Sequence, residues 1–400
     1  MSEGDIHRNA DDQQEPLHAE SILYAQIVPI ELPSPRPPHP GFWWAVLWCL
    51  GFLLITQVLP AIVGFVIMFV ILLLQSSNQV PLQDLHAITN TDAYALAMMV
   101  SMLLSQIMAI FVSWLVIRLI VGKEWPRILA LRRPSLAHLL LALIGLPGLI
   151  VIGMGVDALA KQVLPSVFSL EEAMALFGQW PWPLGVLIIG VGPGIGEELW
   201  CRGFLGRGLV GRYGFLAGVL LTSLLFGVIH LEPRQAVAAF VMGIFLHGSY
   251  LASRSLLVPM LLHMGNNSLS ILSMHIPFLK ALDVPPEQVP LLIYGGGILL
   301  TAAVVWAFFQ SRARLKDFLQ RRLDTSIVAA MPDYSVRVQP ISDEPGEAVS
   351  SWRPAFAGVE FPPEGTATSV SHPWPHWTTW IVVAAGLLLF AASIFFSKWL

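Results

Sequence analysis

The sequence predicts an all-α fold: a polytopic transmembrane helical bundle with an eight-helix core and an additional C-terminal transmembrane helix. Three observations carry that prediction. Only 12% of the residues are charged, half the roughly 25% of a soluble domain. Hydrophobic residues make up 55% of the 400-residue chain, so most of it must face lipid or other apolar helices. The apolar residues also fall into nine runs, each close to or above the roughly 20 residues that a helix needs to cross a bilayer.

The runs are 42–74, 94–121, 136–156, 183–204, 213–231, 235–252, 255–275, 290–309 and 377–397. The first is long and contains Pro60, so a kink or a tilt is expected in it. Trp43, Trp44, Trp180, Trp182, Trp377 and Trp380 stand near run ends, the level at which interfacial aromatic belts form. Basic residues alternate with the runs. Lys123, Arg127, Arg132 and Arg133 follow the second, Arg207 and Arg212 the fourth, and Arg254 the sixth. Arg312, Arg314, Lys316, Arg321 and Arg322 follow the eighth. The intervening loops are poor in Lys and Arg: residues 75–92 have none, 157–182 set Asp157, Glu171 and Glu172 against Lys161, and 276–289 set Asp283 and Glu287 against Lys280. Short cytoplasmic loops are enriched in Lys and Arg. The pattern therefore predicts a multi-pass integral membrane protein of nine spans with a cytoplasmic N-terminus.

Outside the bundle (41–310) the composition changes. Residues 1–40 begin polar and acidic and end proline-rich, with Pro33, Pro35, Pro37, Pro38 and Pro40. They read as a disordered cytoplasmic tail, because a secretory signal needs a basic start followed at once by an apolar core. Residues 311–376 open with SRARLKDFLQRRL, a basic juxtamembrane helix suited to anionic headgroups, and continue as a polar linker. Residues 377–400 form a C-terminal anchor, with no ionisable residue in the span itself. The end lacks a prenylation box, so the chain is not expected to be lipidated itself. Cys49 and Cys201 lie in apolar stretches with no metal spacing and read as packing residues. No basic block suggests nucleic acid, and the hydropathy makes the lipid bilayer the partner expected here.

Ionisable residues inside spans are costly and mark function. They concentrate between 197 and 267. In GPGIGEELWCRGFL, Glu198 and Arg202 are four apart, on one helical face, with the carboxylate N-terminal to the cation, which favours an ion pair. Glu197 lies about 100° around the helix and is not placed to share Arg202. One glutamate is neutralised and structural; the other is left available, and a buried unpaired carboxylate has the raised pKa of a general base. Gly190, Gly192, Gly194 and Gly196 precede the pair and permit close helix approach. Phe226 and His230 share a face in FGVIH, as do His263 and Asn267 in HMGNN. Ala239, Gly243 and Gly248 give the sixth run a small-residue packing face. His138, His247 and His275 read as hydrogen-bonded core histidines.

At these residues the sequence resembles the CPBP intramembrane protease family, which includes type II CAAX prenyl endopeptidases and bacterial immunity-like proteins. The shared pattern is EExxxR, FxxxH and HxxxN or HxxxD, here Glu197-Glu198 to Arg202, Phe226 to His230 and His263 to Asn267, within about 180–275. The resemblance implies an eight-helix core and hydrolysis of a peptide bond in a membrane-associated or prenylated protein. It implies that Glu197 activates water with help from His230, that His263 and Asn267 stabilise the oxyanion, and that Glu198, Arg202 and Phe226 support the site.

Two questions stay open at the level of sequence. Glu197, His230 and His263 have the donor types of a zinc site, yet HExxH is absent, and a glutamate with His and Asn can hydrolyse a peptide without metal. The same polar cavity also suits a non-catalytic immunity or scaffold protein, and less well a proton-coupled transporter, since no internal repeat is present.

Overall fold

The computed structural model describes residues 39–75, 92–167, 170–280, 285–312 and 374–397. The tail 1–38, most of the first loop, and the segment 313–373 that contains the basic juxtamembrane stretch and the linker lie outside the described residues. Everything described is helix, turn or extended connection, with no strand among the described residues. The long helices are α1 (Phe42–Leu74), α2 (Asp92–Ile120), α3 (Leu136–Val163), α4 (Trp182–Val228), α5 (Pro233–Ser253), α6 (Leu257–His275), α7 (Leu291–Gln310) and α8 (Trp377–Phe396). The protein is an integral, multi-pass helical bundle.

Seven of these helices are long and apolar enough to cross a membrane, against nine expected runs. Two physical features account for the difference. Helix α6 carries His263, Asn266, Asn267 and His275, which lower its apolarity. Helix α4 contains two of the expected runs in 47 residues, a length that would extend about 70 Å if straight. It turns at Gly214, whose φ of 81° and ψ of 179° fall where only glycine sits without strain. Beyond it Gly218 packs on the backbone of Val210, so the chain doubles back into a second arm. The third span also runs on to Val163 rather than ending near 156. In α1 the expected distortion is a π-helical stretch, Leu54–Val58, immediately before Pro60.

The helix ends sort into two sets. Ser255 Oγ donates to the Arg132 carbonyl at 2.6 Å, His138 Nε2 meets the Ser311 carbonyl at 3.0 Å, and Gly208 abuts Pro40. These contacts gather the basic loops at one end. At the other, the Val167 N–H donates to Glu232 Oε2 at 2.8 Å, Lys161 pairs with Asp157 and Glu287, and His275 meets the Trp180 carbonyl at 3.0 Å. The alternation of charge along the sequence is thus a real sorting of loops.

Helix α4 is held by its glycines. A Cβ on Gly190 or Gly194 would strike Ser268 or Met264 of α6. A Cβ on Gly192 would lie 2.6 Å from Gln106 Cγ, and one on Gly196 3.1 Å from Ala109 Cβ, both on α2. The two i, i+4 pairs are two separate faces, so α4 is clamped between α2 and α6 at backbone distance. Gly194→Val is expected to push α6 away and cost about 1–3 kcal/mol, read as an earlier thermal melt in detergent. On α5, Gly243 is tight against Ser223, as expected for a packing face, but Gly248 meets open space and takes no part in it. Helix α8 lies antiparallel on α7, with Gly296 against Ser393 and Gly386 against Ala303.

Candidate active site

The first arm of α4 is not a regular helix. It is π-helical over Val186–Val191, α-helical over Gly192–Glu198 and π-helical again over Leu199–Leu205. Pro193 explains the first change: it lacks the N–H that would bond the Ile189 carbonyl four residues back. That carbonyl instead accepts from Asn267 Nδ2 at 3.0 Å, and Asn266 Nδ2 donates to Asn267 Oδ1 at 3.0 Å. From the opposite side Ser113 Oγ donates to the Gly196 carbonyl at 3.0 Å. The backbone leading into the glutamate pair is therefore fixed from both neighbouring helices.

The two glutamates have different environments. Glu198 is fully buried. Its Oε1 accepts from Arg202 Nη1 at 2.6 Å and from His263 Nδ1 at 2.8 Å. Arg202 is buried as well, donates from Nη2 to the Gly243 carbonyl at 3.2 Å, and lies 4.3 Å from the centre of the Phe226 ring. The side chain of Glu197 is 20% exposed, and its Oε2 faces His263 Nε2 at 4.0 Å, too far for a direct hydrogen bond. Among the described residues that oxygen has no hydrogen-bond partner. The pairing expected from helical spacing, Arg202 with Glu198 and not with Glu197, is the pairing found.

His263 thus lies between the two carboxylates, on Nδ1 bonded to one and with Nε2 turned to the other. Phe226 is the hub of the remaining contacts. Its ring meets His263 edge-on at 5.7 Å and His230 edge-on at 5.0 Å, with Arg202 over its face. His230 Nδ1 lies 2.8 Å from the Phe226 carbonyl. A carbonyl only accepts, so Nδ1 carries the proton, and in the neutral ring Nε2 is left with its lone pair.

Residues 179–269 match the family model described as "Type II CAAX prenyl endopeptidase Rce1-like". The matched stretch is under a quarter of the chain and contains every residue of the arrangement just described except Ser113. Over that stretch the chain is similar to the CAAX endopeptidase family. No curated protein and no solved structure matches the chain.

Within this segment the structure brings Glu197, Glu198, Arg202, Phe226 and His263 into one cluster, with His230 joined through Phe226 and Asn267 through the α4 backbone. Among the described residues no three His, Cys, Asp or Glu side chains are grouped to hold a metal ion. Nδ1 of His230 and of His263 faces an oxygen, which leaves Nε2 as the ring nitrogen that a ligand would meet. His138 and His275 lie elsewhere, bonded to backbone carbonyls. His247 departs from the expected hydrogen-bonded core histidine: it is buried against Gly206 of α4, and its Nδ1 has no hydrogen-bond partner among the described residues. Cys49 and Cys201 are free and buried.

Two participants are not marked by the motifs. Ser113 is an ordinary residue in an apolar run, and only its register against α4 reveals it. Asn266 adjoins a motif position but is not one of its two residues. The Asn267 contact can be tested directly. Asn267→Ala leaves the Ile189 carbonyl without a donor and is expected to cost about 1–3 kcal/mol. Asn267→Asp, which sets an acceptor against that carbonyl, is expected to melt no later than the alanine variant.

Proposed function

We propose that the chain is an intramembrane endopeptidase that hydrolyses a peptide bond of a membrane-associated or prenylated protein, with Glu197 as the general base. The observation that carries this reading is the asymmetry of the pair: Glu198 is held by Arg202 and His263, whereas among the described residues Glu197 has no guanidinium partner and no hydrogen bond on its inward oxygen, which faces His263 Nε2 at 4.0 Å.

In the proposed reaction a water lies between Glu197 and the lone pair on His230 Nε2. Glu197 takes a proton from it as the oxygen attacks the scissile carbonyl carbon. The carbonyl electrons move to oxygen, and the resulting oxyanion accepts hydrogen bonds. His263, held at Nδ1 by Glu198, donates from Nε2 when both ring nitrogens carry protons. Asn267 donates through the second N–H of the amide whose first N–H is pinned to Ile189. When the oxyanion collapses, the C–N bond breaks and Glu197 returns its proton to the leaving nitrogen. Glu198 and Arg202 hold the base and His263 in register. In this reading the basic end of the bundle faces the cytoplasm, as short basic loops do.

The test is a cleavage assay on purified protein, with prenylated peptides and transmembrane peptides as substrates and product masses as the readout. Cleavage with addition of one water supports the proposal. Intact peptides throughout, with a partner protein that co-purifies stably, would instead make the cavity a binding site.

A further inference from the structure

At the basic end of the bundle, away from the glutamate pair, the turn between α5 and α6 is docked on the loop that precedes α3. Tyr250 Oη donates to the Leu129 carbonyl at 2.9 Å. The Leu256 N–H donates to the Ala130 carbonyl at 3.0 Å, and Ser255 Oγ to the Arg132 carbonyl at 2.6 Å. Both sides of this junction are bent into a conformation that L residues rarely adopt, with φ of 52° at Ala130 and 49° at Arg254. The bend at Arg254 turns a guanidinium into protein: the residue is 5% exposed.

That guanidinium is unsatisfied. Arg254 Nε and Nη1 are buried and have no acceptor among the described residues. The charge facing it is of the same sign. Burial and the neighbouring Arg254 charge pull the pKa of Arg132 down to about 9, and burial pulls that of Arg254 down to about 10. Both values leave the side chains charged at neutral pH. The C-terminus of α5 favours a cation beside it, but a helix dipole does not supply the lone pairs that the two N–H groups require.

We propose that Arg254 and Arg132 form a binding site for a phosphate group at the basic end of the bundle. The guanidinium fork matches phosphate oxygens in pairs, and one anion answers the two unpaired donors of Arg254. The site lies where α5 ends and α6 begins, at the level of lipid headgroups, and basic pockets between transmembrane helices hold such groups. The phosphate is that of an anionic phospholipid or a free one.

The experiment compares the full-length protein with its Arg254→Gln variant in detergent. Thermal melts are recorded with phosphatidylglycerol, with phosphatidylcholine and with inorganic phosphate. Phosphatidylglycerol is expected to raise the melting temperature of the parent by several degrees and that of the variant by less than half as much, with phosphatidylcholine inert. The same difference with inorganic phosphate alone identifies a free phosphate as the ligand. Equal rises in parent and variant with both additives, or none, overturn the site. Arg133→Gln removes an exposed charge nearby and should keep the full rise; loss there points to general surface charge and also overturns it. Should Arg254→Gln fail to fold, Arg132→Gln takes its place, with retained phosphatidylglycerol counted by native mass spectrometry. Parent-like retention in that variant overturns the site.

Discussion

Glu197→Gln is expected to lower peptide hydrolysis by about 10²–10⁴-fold, the contribution typical of a positioned general base, in a protein that still inserts and melts as the parent does. The substitution keeps shape and volume. Glu197 accepts no hydrogen bond at its inward oxygen and pairs with no guanidinium, so the fold loses little when its charge goes. What is lost is the ability to take a proton from water. Initial rates on a cleaved peptide, beside a melting curve, separate the two effects. Full activity in this variant would remove Glu197 from the reaction and leave Nε2 of His230 as the group to examine.

Arg202→Met is expected to act in the opposite way, with a loss of stability of about 3–5 kcal/mol, the usual result of breaking a buried ion pair. Glu198 is fully buried and receives from Arg202 a hydrogen bond of 2.6 Å. Without it, a carboxylate stands in an apolar interior with only His263 as partner. The variant also frees the Gly243 carbonyl, which Arg202 Nη2 satisfies, and uncovers the Phe226 ring. Activity falls because His263 and Glu197 lose their reference points. The double variant Glu198→Leu/Arg202→Met should be less destabilised than the sum of its parts, since no buried charge then remains unpaired. Additive losses in the melting curves would show that the pair does not interact.

Much of this was legible in the sequence because periodicity within a helix is local. The four-residue spacing of Glu198 and Arg202, and the rotation of Glu197 away from them, need only 3.6 residues per turn. The sorting of loops needed only the positions of Lys and Arg. What periodicity does not contain is the register between helices. It does not say that the Ile189 carbonyl, freed by Pro193, meets Asn267. Nor does it say that His263 reaches both glutamates, or that His230 joins the cluster through Phe226. The depth of Glu197 relative to His230 was likewise hidden. A nine-run reading ended the fourth span at 204, whereas the first arm of α4 continues to the turn at Gly214.

The two glycine faces of α4 have a consequence for when disorder is lost. With α2 on one side and α6 on the other at backbone distance, the stretch that carries Glu197 has no room to rotate or slide. The orientational entropy of aiming its carboxylate is therefore surrendered once, while the bundle assembles in the bilayer. An arriving peptide meets a base already aimed, and its binding free energy is left for its own alignment.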